Sequence, residues 1–317
     1  CVLAVRNVSF HLDFGETLGV VGESGSGKSV TMLSVMGLLP QYAEVTADAI
    51  LFNGTEMQNL DASEFRKIRG GDIGMIFQDP MTSLNPLYSV ENQLTEPLRI
   101  HRKMSKEEAR KTALELLRRV DIPDPEQRLK QYPHEFSGGM RQRVMIAMAV
   151  ACQPKLVIAD EPTTALDVTI QAQILDLIRD LRTRLGTSVI LITHDLGVIA
   201  EMADRVAVMY AGRIVEHTDV NTLFEKPMHP YTQGLIGSIP VLGEVREALD
   251  VIPGNVPNLV NLPPGCRFAP RCRAREQYGL EICTRIEPDL FPVGQAHTVR
   301  CWLYQDYENH QAPLKVE

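Results

Sequence analysis

The sequence predicts an α/β fold in which a doubly wound mixed sheet is interrupted by a helical insertion and followed by a small cysteine-rich module. Short β-rich runs alternate with helical stretches between residues 15 and 215, which is typical of a mostly parallel sheet. The stretch 79–151 is helical in pattern, and prolines break up any long element after residue 225. We therefore predict a core of residues 1–78 and 152–225, a helical subdomain of residues 79–151 and a C-terminal module of residues 226–317.

The strands and helices of the core follow one another in a regular order. A buried strand runs directly into a glycine-rich turn and an apolar helix, and further strands lie on both sides of the helical insertion. We predict strands over residues 18–21, 49–52, 73–77, 156–159, 188–193 and 205–210, and helices over residues 29–38, 63–69 and 105–120. The last helix begins with a capping box, Ser105 followed by Glu108, and we expect its basic face to be solvated.

Composition and charge exclude several classes of protein. The chain has 40 acidic and 32 basic residues and a net charge of −8, which argues against binding nucleic acid through bulk electrostatics. Its longest apolar run, Val144 to Cys152, is far shorter than the roughly 18 to 20 residues of a membrane-spanning helix. We expect a cytoplasmic protein with no nucleic-acid partner, associated with a membrane only through other subunits. Because the chain begins at Cys1, we also expect a processed, truncated or incomplete N-terminus.

The turn after the first strand has the pattern of a phosphate-binding loop. Residues 22–29 fit G-x-x-x-x-G-K-[ST] without departure, between a predicted strand and a predicted helix. Such glycines let backbone N–H groups point at phosphate oxygens, and the helix adds its N-terminal dipole. In this pattern the lysine reaches the β- and γ-phosphates and the serine after it ligates Mg²⁺. The candidate phosphate-binding residues are Gly22, Ser24, Gly25, Ser26, Gly27, Lys28, Ser29 and Val30.

A second candidate set follows the apolar run 156–159. The carboxyl end of this predicted strand carries Asp160, which we expect to ligate magnesium, and Glu161, a candidate to polarise the attacking water. A strand that simply ends in surface acids is the alternative. Ala165-Leu166-Asp167 after the pair and His194 after the next strand argue against it.

In sequence order, these motifs resemble those of the ATP-binding cassette (ABC) ATPases. The resemblance covers residues 15–215 and includes the phosphate loop, Gln78 at a strand end, the triplet Ser137-Gly138-Gly139 opening a helix, Asp160-Glu161, Asp167 and His194. The triplet alone is a weak signal, but it lies where the family signature belongs. The resemblance implies a P-loop NTPase core, RecA-like with N-terminal antiparallel strands, that binds ATP and Mg²⁺.

The same resemblance implies a mechanism in which two such subunits dimerise head to tail. Each ATP is then held by the phosphate loop and Asp160 of one subunit and by the Ser137-Gly138-Gly139 triplet of the other. Hydrolysis removes the γ-phosphate that bridges the two subunits, so the closed dimer can open. Asp167 is implied to communicate across the dimer, and His194 to contact the γ-phosphate. The catalytic residues implied are Lys28, Gln78, Glu161 and His194, and the magnesium ligands are Ser29, Gln78 and Asp160.

This sequence departs from the family pattern at two places. Phe136 and Met140 flank the triplet where leucine and glutamine are usual, although the triplet itself is intact. No aromatic residue stands where the family stacks the adenine ring, upstream of the phosphate loop. We therefore name no adenine-stacking residue. Phe10 is the alternative candidate for that role, but we expect it to pack in the core.

Four further segments resemble the dipeptide and oligopeptide branch of bacterial importers: residues 78–86, 141–149, 229–232 and 252–257. The resemblance implies an ATPase subunit at the cytoplasmic face of the inner membrane, peripheral through two transmembrane permease subunits. A second ABC ATPase, which we expect to be a paralogue, completes the dimer, and a periplasmic or lipid-anchored binding protein delivers the peptide. The alternatives are an importer of nickel or another small solute, and a soluble ABC ATPase with redox-regulated activity.

Four of the six cysteines lie in the last fifth of the chain: Cys266, Cys272, Cys283 and Cys301. Their spacing lacks the tight pairs of zinc ribbons and suits a [4Fe-4S] cluster, which accepts thiolates from widely separated loops. Importer subunits of the resembling branch with such cysteines hold iron and sulfur, which agrees. We therefore predict a [4Fe-4S] cluster, with structural Zn²⁺ as the first alternative and unligated thiols as the second.

Overall fold

The computed structural model describes residues 2–164, 166–239 and 252–316. The strands are β1 (Thr17–Val21), β2 (Leu51–Phe52), β3 (Thr55–Glu56), β4 (Ile73–Ile76), β5 (Leu156–Asp160), β6 (Ser188–Thr193), β7 (Arg205–Tyr210), β8 (Arg213–Asp219), β9 (Phe291–Gly294) and β10 (His297–Val299). The helices are α1 (Lys28–Val35), α2 (Ala62–Ile68), α3 (Pro80–Ser83), α4 (Val90–His101), α5 (Lys106–Arg119), α6 (Pro125–Arg128), α7 (Gly138–Val150), α8 (Val168–Leu185), α9 (Leu196–Met202), α10 (Val220–Glu225), α11 (Pro230–Gly237) and α12 (Arg273–Gln277).

The chain divides into two compact units. The first contains Cys1–His11, Leu18–Thr31 and Thr193–Glu317, and the second contains Leu12–Thr17 and Met32–Ile192. The boundaries between these units differ from the predicted domain boundaries. The predicted division into core, helical subdomain and C-terminal module stays a prediction.

The second unit is built on three parallel strands, β4, β5 and β6. Ile76 of β4 lies opposite Ala159 of β5, and Asp160 of β5 lies opposite Ile192 of β6. Nearly every residue of these strands is buried, as expected for a parallel sheet covered by helices. The strands end at the same edge of the sheet, so the residues that follow β4 and β5 come close together there.

Within the second unit, residues 79–151 are mostly helical, as the sequence predicts. Helices α4, α5 and α7 pack against one another around fully buried leucine, valine and isoleucine side chains. The predicted capping box is present at α5: Ser105 Oγ accepts from the Glu108 N–H (3.3 Å), and the Glu108 carboxylate accepts from the Ser105 N–H (2.8 Å). The strand predicted over residues 49–52 is found as β2, which is shorter and pairs antiparallel with β3, a strand that the sequence analysis did not predict.

The helix after the phosphate loop is shorter than predicted. It ends at Val35 rather than at residue 38. Gly37 adopts a left-handed conformation with φ 59°, and the Leu38 N–H donates to the Leu33 carbonyl at 2.8 Å. This is a helix C-terminus closed by glycine, which sequence periodicity alone does not reveal.

The first unit contains a mixed sheet. β1 is parallel to β7, whereas β7, β8, β10 and β9 follow as antiparallel neighbours. The sequence analysis did not predict β8, β9 or β10. In β8 the reason is clear, because Glu216 and Thr218 are fully buried polar residues that mask the apolar pattern of a strand.

The proline-rich C-terminal segment, residues 226–239 and 252–316, has little regular structure but builds apolar contacts of its own. One cluster surrounds the buried Trp302, and a second brings the rings of Tyr210, Tyr231 and Phe268 within 5.5 Å of one another. The buried Glu216 carboxylate accepts from two backbone N–H groups, of Met228 and His229, at 2.7 and 2.8 Å. Since β10 pairs with β8, this segment shares the sheet of the first unit.

No helix among residues 2–164, 166–239 and 252–316 combines the length and apolar character needed to cross a membrane.

Candidate functional site

The phosphate loop lies between β1 and α1, as the sequence predicts. Gly22 has no room for a side chain, because a Cβ there would collide with the backbone carbonyl of Met209. Gly27 has φ 97°, and a Cβ would also press on the Ala4 carbonyl at 3.2 Å. Glycine is therefore required at both ends of the loop for reasons that lie within this chain.

Lys28, the first residue of α1, lies across the phosphate loop. Its Nζ donates to the Gly22 carbonyl at 2.7 Å and to the Glu23 carbonyl at 3.2 Å, and only 5% of the residue is exposed. The buried Ser26 hydroxyl has no hydrogen-bond partner within the described chain. An ammonium group held over a loop of turned backbone suits an anionic ligand such as a phosphate chain.

The remaining candidates of the loop differ in exposure. Ser24 and Gly25 are exposed at its tip, whereas Ser29 and Val30 are half-buried in the first turn of α1. The loop is therefore accessible to a ligand at its tip and partly enclosed where it joins α1.

A second group of candidate residues lies where β4 and β5 end. Asp160 is the buried last residue of β5, and Glu161 after it has φ 46°, an unusual backbone for a residue with a side chain. The Glu161 N–H donates to the Ile192 carbonyl at 2.9 Å, which fixes this turn. Such strained residues are typical of functional sites.

The structure brings Gln78 and Glu161 together. Glu161 Oε2 accepts from Gln78 Nε2 at 3.0 Å and from the Thr164 hydroxyl at 2.8 Å. These two hydrogen bonds orient the carboxylate. Thr164 was not among the predicted site residues; the signal available was a hydroxyl residue three positions after the acid, in a turn opened by Pro162.

The triplet Ser137-Gly138-Gly139 opens α7, as predicted. Ser137 caps the helix by accepting from the Met140 N–H at 3.3 Å. Ser137 and Gly138 are exposed, and a Cβ added to Gly138 would meet nothing within 4 Å. The turn therefore presents a helix N-terminus and a hydroxyl to its surroundings, which suits an anion.

Gln142 of α7 is a residue that the sequence analysis missed. It is buried, and its Nε2 donates to the Pro162 carbonyl at 2.6 Å. This bond ties the helix opened by the triplet to the turn that follows Glu161. Only the structure shows it, because the two residues lie 20 positions apart.

Asp167 and His194 are both exposed. Asp167 caps α8 by accepting from the Ile170 N–H at 3.0 Å, and His194 directly follows β6. Their predicted roles, at the dimer partner and at the γ-phosphate, stay predictions.

The four clustered cysteines share one neighbourhood. Cys266 donates its N–H to the Cys283 carbonyl at 2.8 Å, and Cys301 is buried beside them. Burial raises the pKa of Cys266 and Cys283 to about 12, and nearby thiols add to the effect. No group of His, Cys, Asp or Glu among the described residues is arranged to hold a metal ion. The predicted [4Fe-4S] cluster and its zinc alternative therefore have no support in this structure.

Comparison with protein families assigns the chain to a class. The family "ABC transporter" matches residues 5–164, and the family "Oligopeptide/dipeptide transporter, C-terminal region" matches residues 215–278. The chain belongs to the ABC transporter family. The predicted ABC ATPase class and its ATP-hydrolysing activity are thereby confirmed.

Within that family, curated relatives match nearly the whole chain. It is 56% identical to the dipeptide transport ATP-binding protein DppD of Bacillus subtilis, over 98% of this chain and 91% of the relative. It is also 56% identical to the oligopeptide transport ATP-binding protein OppD of the same organism, over 95% of this chain and 84% of the relative. The predicted resemblance to the dipeptide and oligopeptide branch is confirmed, and the alternatives of a nickel importer and a soluble ATPase are not favoured.

Solved structures agree with the ABC ATPase fold. A dimeric ATP-binding cassette in a post-hydrolysis state, bound to ADP and Pi, is 32% identical, with a TM-score of 0.62 over 68% of this chain and 90% of that chain. The structure of cbiO1 from Clostridium perfringens, part of an ABC transporter complex, is 28% identical, with a TM-score of 0.60 over 70% of this chain and 84% of that chain.

Proposed function

We propose that the chain is the ATP-hydrolysing motor subunit of a bacterial ABC importer for dipeptides or oligopeptides. The observation that carries the peptide class is the match of residues 215–278 to the C-terminal region of oligopeptide and dipeptide transporters. The names of the two B. subtilis relatives support the same substrates. Lys28 lying over the phosphate loop, and Glu161 oriented by Gln78, support the motor chemistry.

The phosphate loop would hold the triphosphate. Lys28 exchanges its bonds to the loop carbonyls for the β- and γ-phosphates, and the first turn of α1 adds the N–H groups of Ser29 and Val30. The donor set fits magnesium, because Ser29, Gln78 and Asp160 supply the hydroxyl, amide and carboxylate oxygens that Mg²⁺ prefers. Bound Mg²⁺ would neutralise charge that develops on the phosphates.

Glu161 would act as the general base. Its Oε2 is fixed by Gln78 and Thr164, so the carboxylate has a defined direction in which to accept a proton from water. His194, after β6, would contact the γ-phosphate.

Replacing Glu161 by glutamine tests this role. Glu161→Gln keeps the shape and the hydrogen bond to Thr164 but removes the basic oxygen, so turnover should fall by about 10² to 10⁴. ATP binding, measured by calorimetry, should be retained. Asp176→Asn on the exposed face of α8 is the matched control and should leave both quantities unchanged. Unchanged hydrolysis in Glu161→Gln would remove Glu161 as the base.

A second ABC ATPase subunit, which we take to be a paralogue, would face this chain head to tail. The exposed Ser137-Gly138-Gly139 turn would contact the nucleotide held by that partner, and Asp167 would lie at the same interface. Two transmembrane permease subunits would anchor the pair at the cytoplasmic face of the inner membrane, and a periplasmic or lipid-anchored protein would deliver peptide. Closure on ATP and release after hydrolysis would drive transport.

Purification from membranes tests the assembly. A tagged chain should recover a second ATPase and two permease subunits, and cells lacking the chain should lose uptake of a labelled dipeptide or oligopeptide. Uptake of labelled nickel should not change. Recovery of the chain alone, or loss of nickel uptake with peptide uptake intact, would contradict the proposal.

We also propose that Cys266, Cys272, Cys283 and Cys301 hold a [4Fe-4S] cluster in the assembled protein. The proposal rests on the donor set, four thiols in one short segment, which suits such a cluster although the described residues show no arrangement that holds a metal ion. The cluster would staple a segment of little regular structure. Iron and acid-labile sulfide should be found in anaerobically purified protein and lost in Cys301→Ser. Zinc without sulfide, or neither, would contradict the cluster.

A further inference from the structure

Glu23, the second residue of the phosphate loop, is held at three points. Its N–H donates to the hydroxyl of Tyr231 at 2.8 Å, and its carbonyl accepts from Lys28 Nζ at 3.2 Å. Its carboxylate forms a bidentate ion pair with Arg271, at 2.7 and 3.0 Å. Tyr231 and Arg271 both belong to the C-terminal segment. Glu23 therefore connects that segment directly to the lysine of the phosphate loop.

Arg271 is fixed on every side. Its side chain is 5% exposed, Nε donates to the Pro253 carbonyl at 2.7 Å, and Nη2 donates to the Gly254 carbonyl at 3.1 Å. The guanidinium lies beside the ring of Tyr210, 5.7 Å from its centroid. Because a guanidinium stays protonated in proteins, Arg271 is a charged group that these contacts hold in one place.

Tyr231 is equally constrained. It is fully buried, and its ring packs against Tyr210 with the centroids 4.7 Å apart. Burial raises the pKa of its phenol, so the hydroxyl stays neutral and can accept the Glu23 N–H. At the start of α11, His229 Nδ1 accepts from the Tyr231 N–H at 3.0 Å, which holds the ring in place.

A second route leads from the C-terminal segment to the loop. The guanidinium of Arg267 donates to the Ala211 carbonyl, in the turn between β7 and β8. The next residue of that turn, Gly212, donates its N–H to the Ser26 carbonyl at 2.7 Å. The loop is therefore supported by the segment at Glu23 and, through one intermediate turn, at Ser26.

We propose that Arg271 and Tyr231 are positioning residues of the phosphate loop, through which the C-terminal segment sets the affinity for ATP. They hold Glu23 so that the loop and Lys28 keep the geometry that receives the triphosphate. Glu23 occupies a position that the loop pattern leaves open, so neither it nor its partners are predicted by that pattern. The inference rests on the proposed function only in requiring that residues 22–29 bind the triphosphate.

The test measures binding and turnover in the full chain. The variants are Arg271→Met, Glu23→Gln, the double variant and Tyr231→Phe. Loss of a charge-assisted bidentate pair should raise the Kd and the KM for Mg-ATP about tenfold in Arg271→Met, with kcat at saturating ATP retained within about twofold. Tyr231→Phe, which loses one neutral hydrogen bond, should raise them about threefold.

Two features separate positioning from a general loss of structure. The double variant should bind ATP no more weakly than Arg271→Met, because both substitutions remove the same ion pair. Arg271→Lys, which keeps the charge but not the bidentate geometry, should recover part of the affinity. Thermal unfolding and metal content are measured on every variant, to show that the ATP effect is not a folding effect.

Matched controls lie in the same segment. Tyr304→Phe removes a buried phenol that donates to the Met228 carbonyl at 2.9 Å, and Arg285→Met removes an exposed arginine. Neither touches the phosphate loop, so both should leave the Kd for ATP unchanged. A rise as large as that of the test variants would assign the effect to the segment's stability and overturn the proposal.

Lys28→Ala separates this inference from the proposed function. If it abolishes ATP binding while Arg271→Met, Glu23→Gln and Tyr231→Phe bind normally, the inference is wrong and the nucleotide site stands. If Lys28→Ala binds ATP as well as the unchanged protein, the assignment of the loop fails, and the inference fails with it. Should Arg271→Met not fold, Glu23→Gln and Tyr231→Phe decide, and normal ATP affinity in both overturns the proposal.

Discussion

Two turns of this chain begin a helix with serine and glycine, and they are built in opposite ways. In the phosphate loop, Gly22 and Gly27 are confined by neighbouring backbone, and Lys28 is buried over the loop. In the triplet at the start of α7, Ser137 and Gly138 are exposed, and a side chain on Gly138 would meet open space.

The two turns therefore need glycine for different reasons. Contacts within the chain demand glycine in the phosphate loop, so that turn is complete without a partner. Nothing in the described chain demands it at Gly138. This agrees with the proposal that Gly138 faces the nucleotide of a second subunit, where a Cβ would keep the backbone N–H away from phosphate.

The largest effect is expected for Gly22→Ala. The new Cβ collides with the Met209 carbonyl, backbone against backbone, which no side-chain rotation relieves. Overpacking of this kind should lower the free energy of unfolding by about 3 kcal/mol or more and abolish ATP binding. Denaturant unfolding and calorimetry with Mg-ATP check both. A variant as stable as the unchanged chain would show that the loop is less confined than the structure indicates.

The buried His229, which accepts from the Tyr231 N–H, predicts that the stability of the fold depends on pH. Burial lowers the pKa of His229 from 6.5 to about 4, so the folded chain keeps this imidazole neutral where the unfolded chain protonates it. The contribution of this neutral imidazole to the free energy of unfolding is therefore fully present above pH 6.5, and it is lost as the pH falls toward 4. The decline should amount to about 3 kcal/mol.

His229→Asn isolates that contribution. Asparagine keeps an acceptor for the Tyr231 N–H but does not titrate, so the variant should lose less stability than the unchanged chain between pH 6.5 and 4. The free energy of unfolding is measured across this range for both proteins. If the two curves run parallel, the pKa of His229 does not differ between the folded and unfolded states, and the prediction is wrong.

The smallest effect on the isolated chain is expected for Gly138→Ala. With open space around it, the substitution should change the free energy of unfolding by less than about 0.5 kcal/mol. In the assembled transporter the ATPase rate should fall about tenfold, because the Cβ obstructs the partner's nucleotide. An unchanged rate in the assembly would remove Gly138 from the interface.

Much of the candidate nucleotide site could be predicted from the sequence because its parts are local. The phosphate loop and the strand ending at Asp160 each depend on residues close together in the chain, and the structure has both where the sequence predicts them. The same holds outside the site for the capped helix α5. Strand β8 escaped prediction because Glu216, a buried carboxylate, breaks the apolar pattern. Its hydrogen-bond partners are the N–H groups of Met228 and His229, just before α11, and the imidazole of His297 in β10.

The prediction of a metal site at the four clustered cysteines shows what sequence spacing alone cannot predict. Four thiols in one segment indicated a metal site, and the structure does gather them. Yet ligand geometry depends on where each Sγ points, which spacing does not fix.

By itself, the sequence determined the class of this protein: a phosphate loop, two acids at a strand end and a signature triplet are short patterns whose chemistry lies in a few adjacent residues. Only the tertiary structure decided how the loop is held. Arg271 lies 248 positions from Glu23, and a bidentate ion pair between them exists only because folding brings the C-terminal segment beside the loop. Long-range contacts of this kind leave no periodic trace in the chain, since either partner alone is an ordinary charged residue.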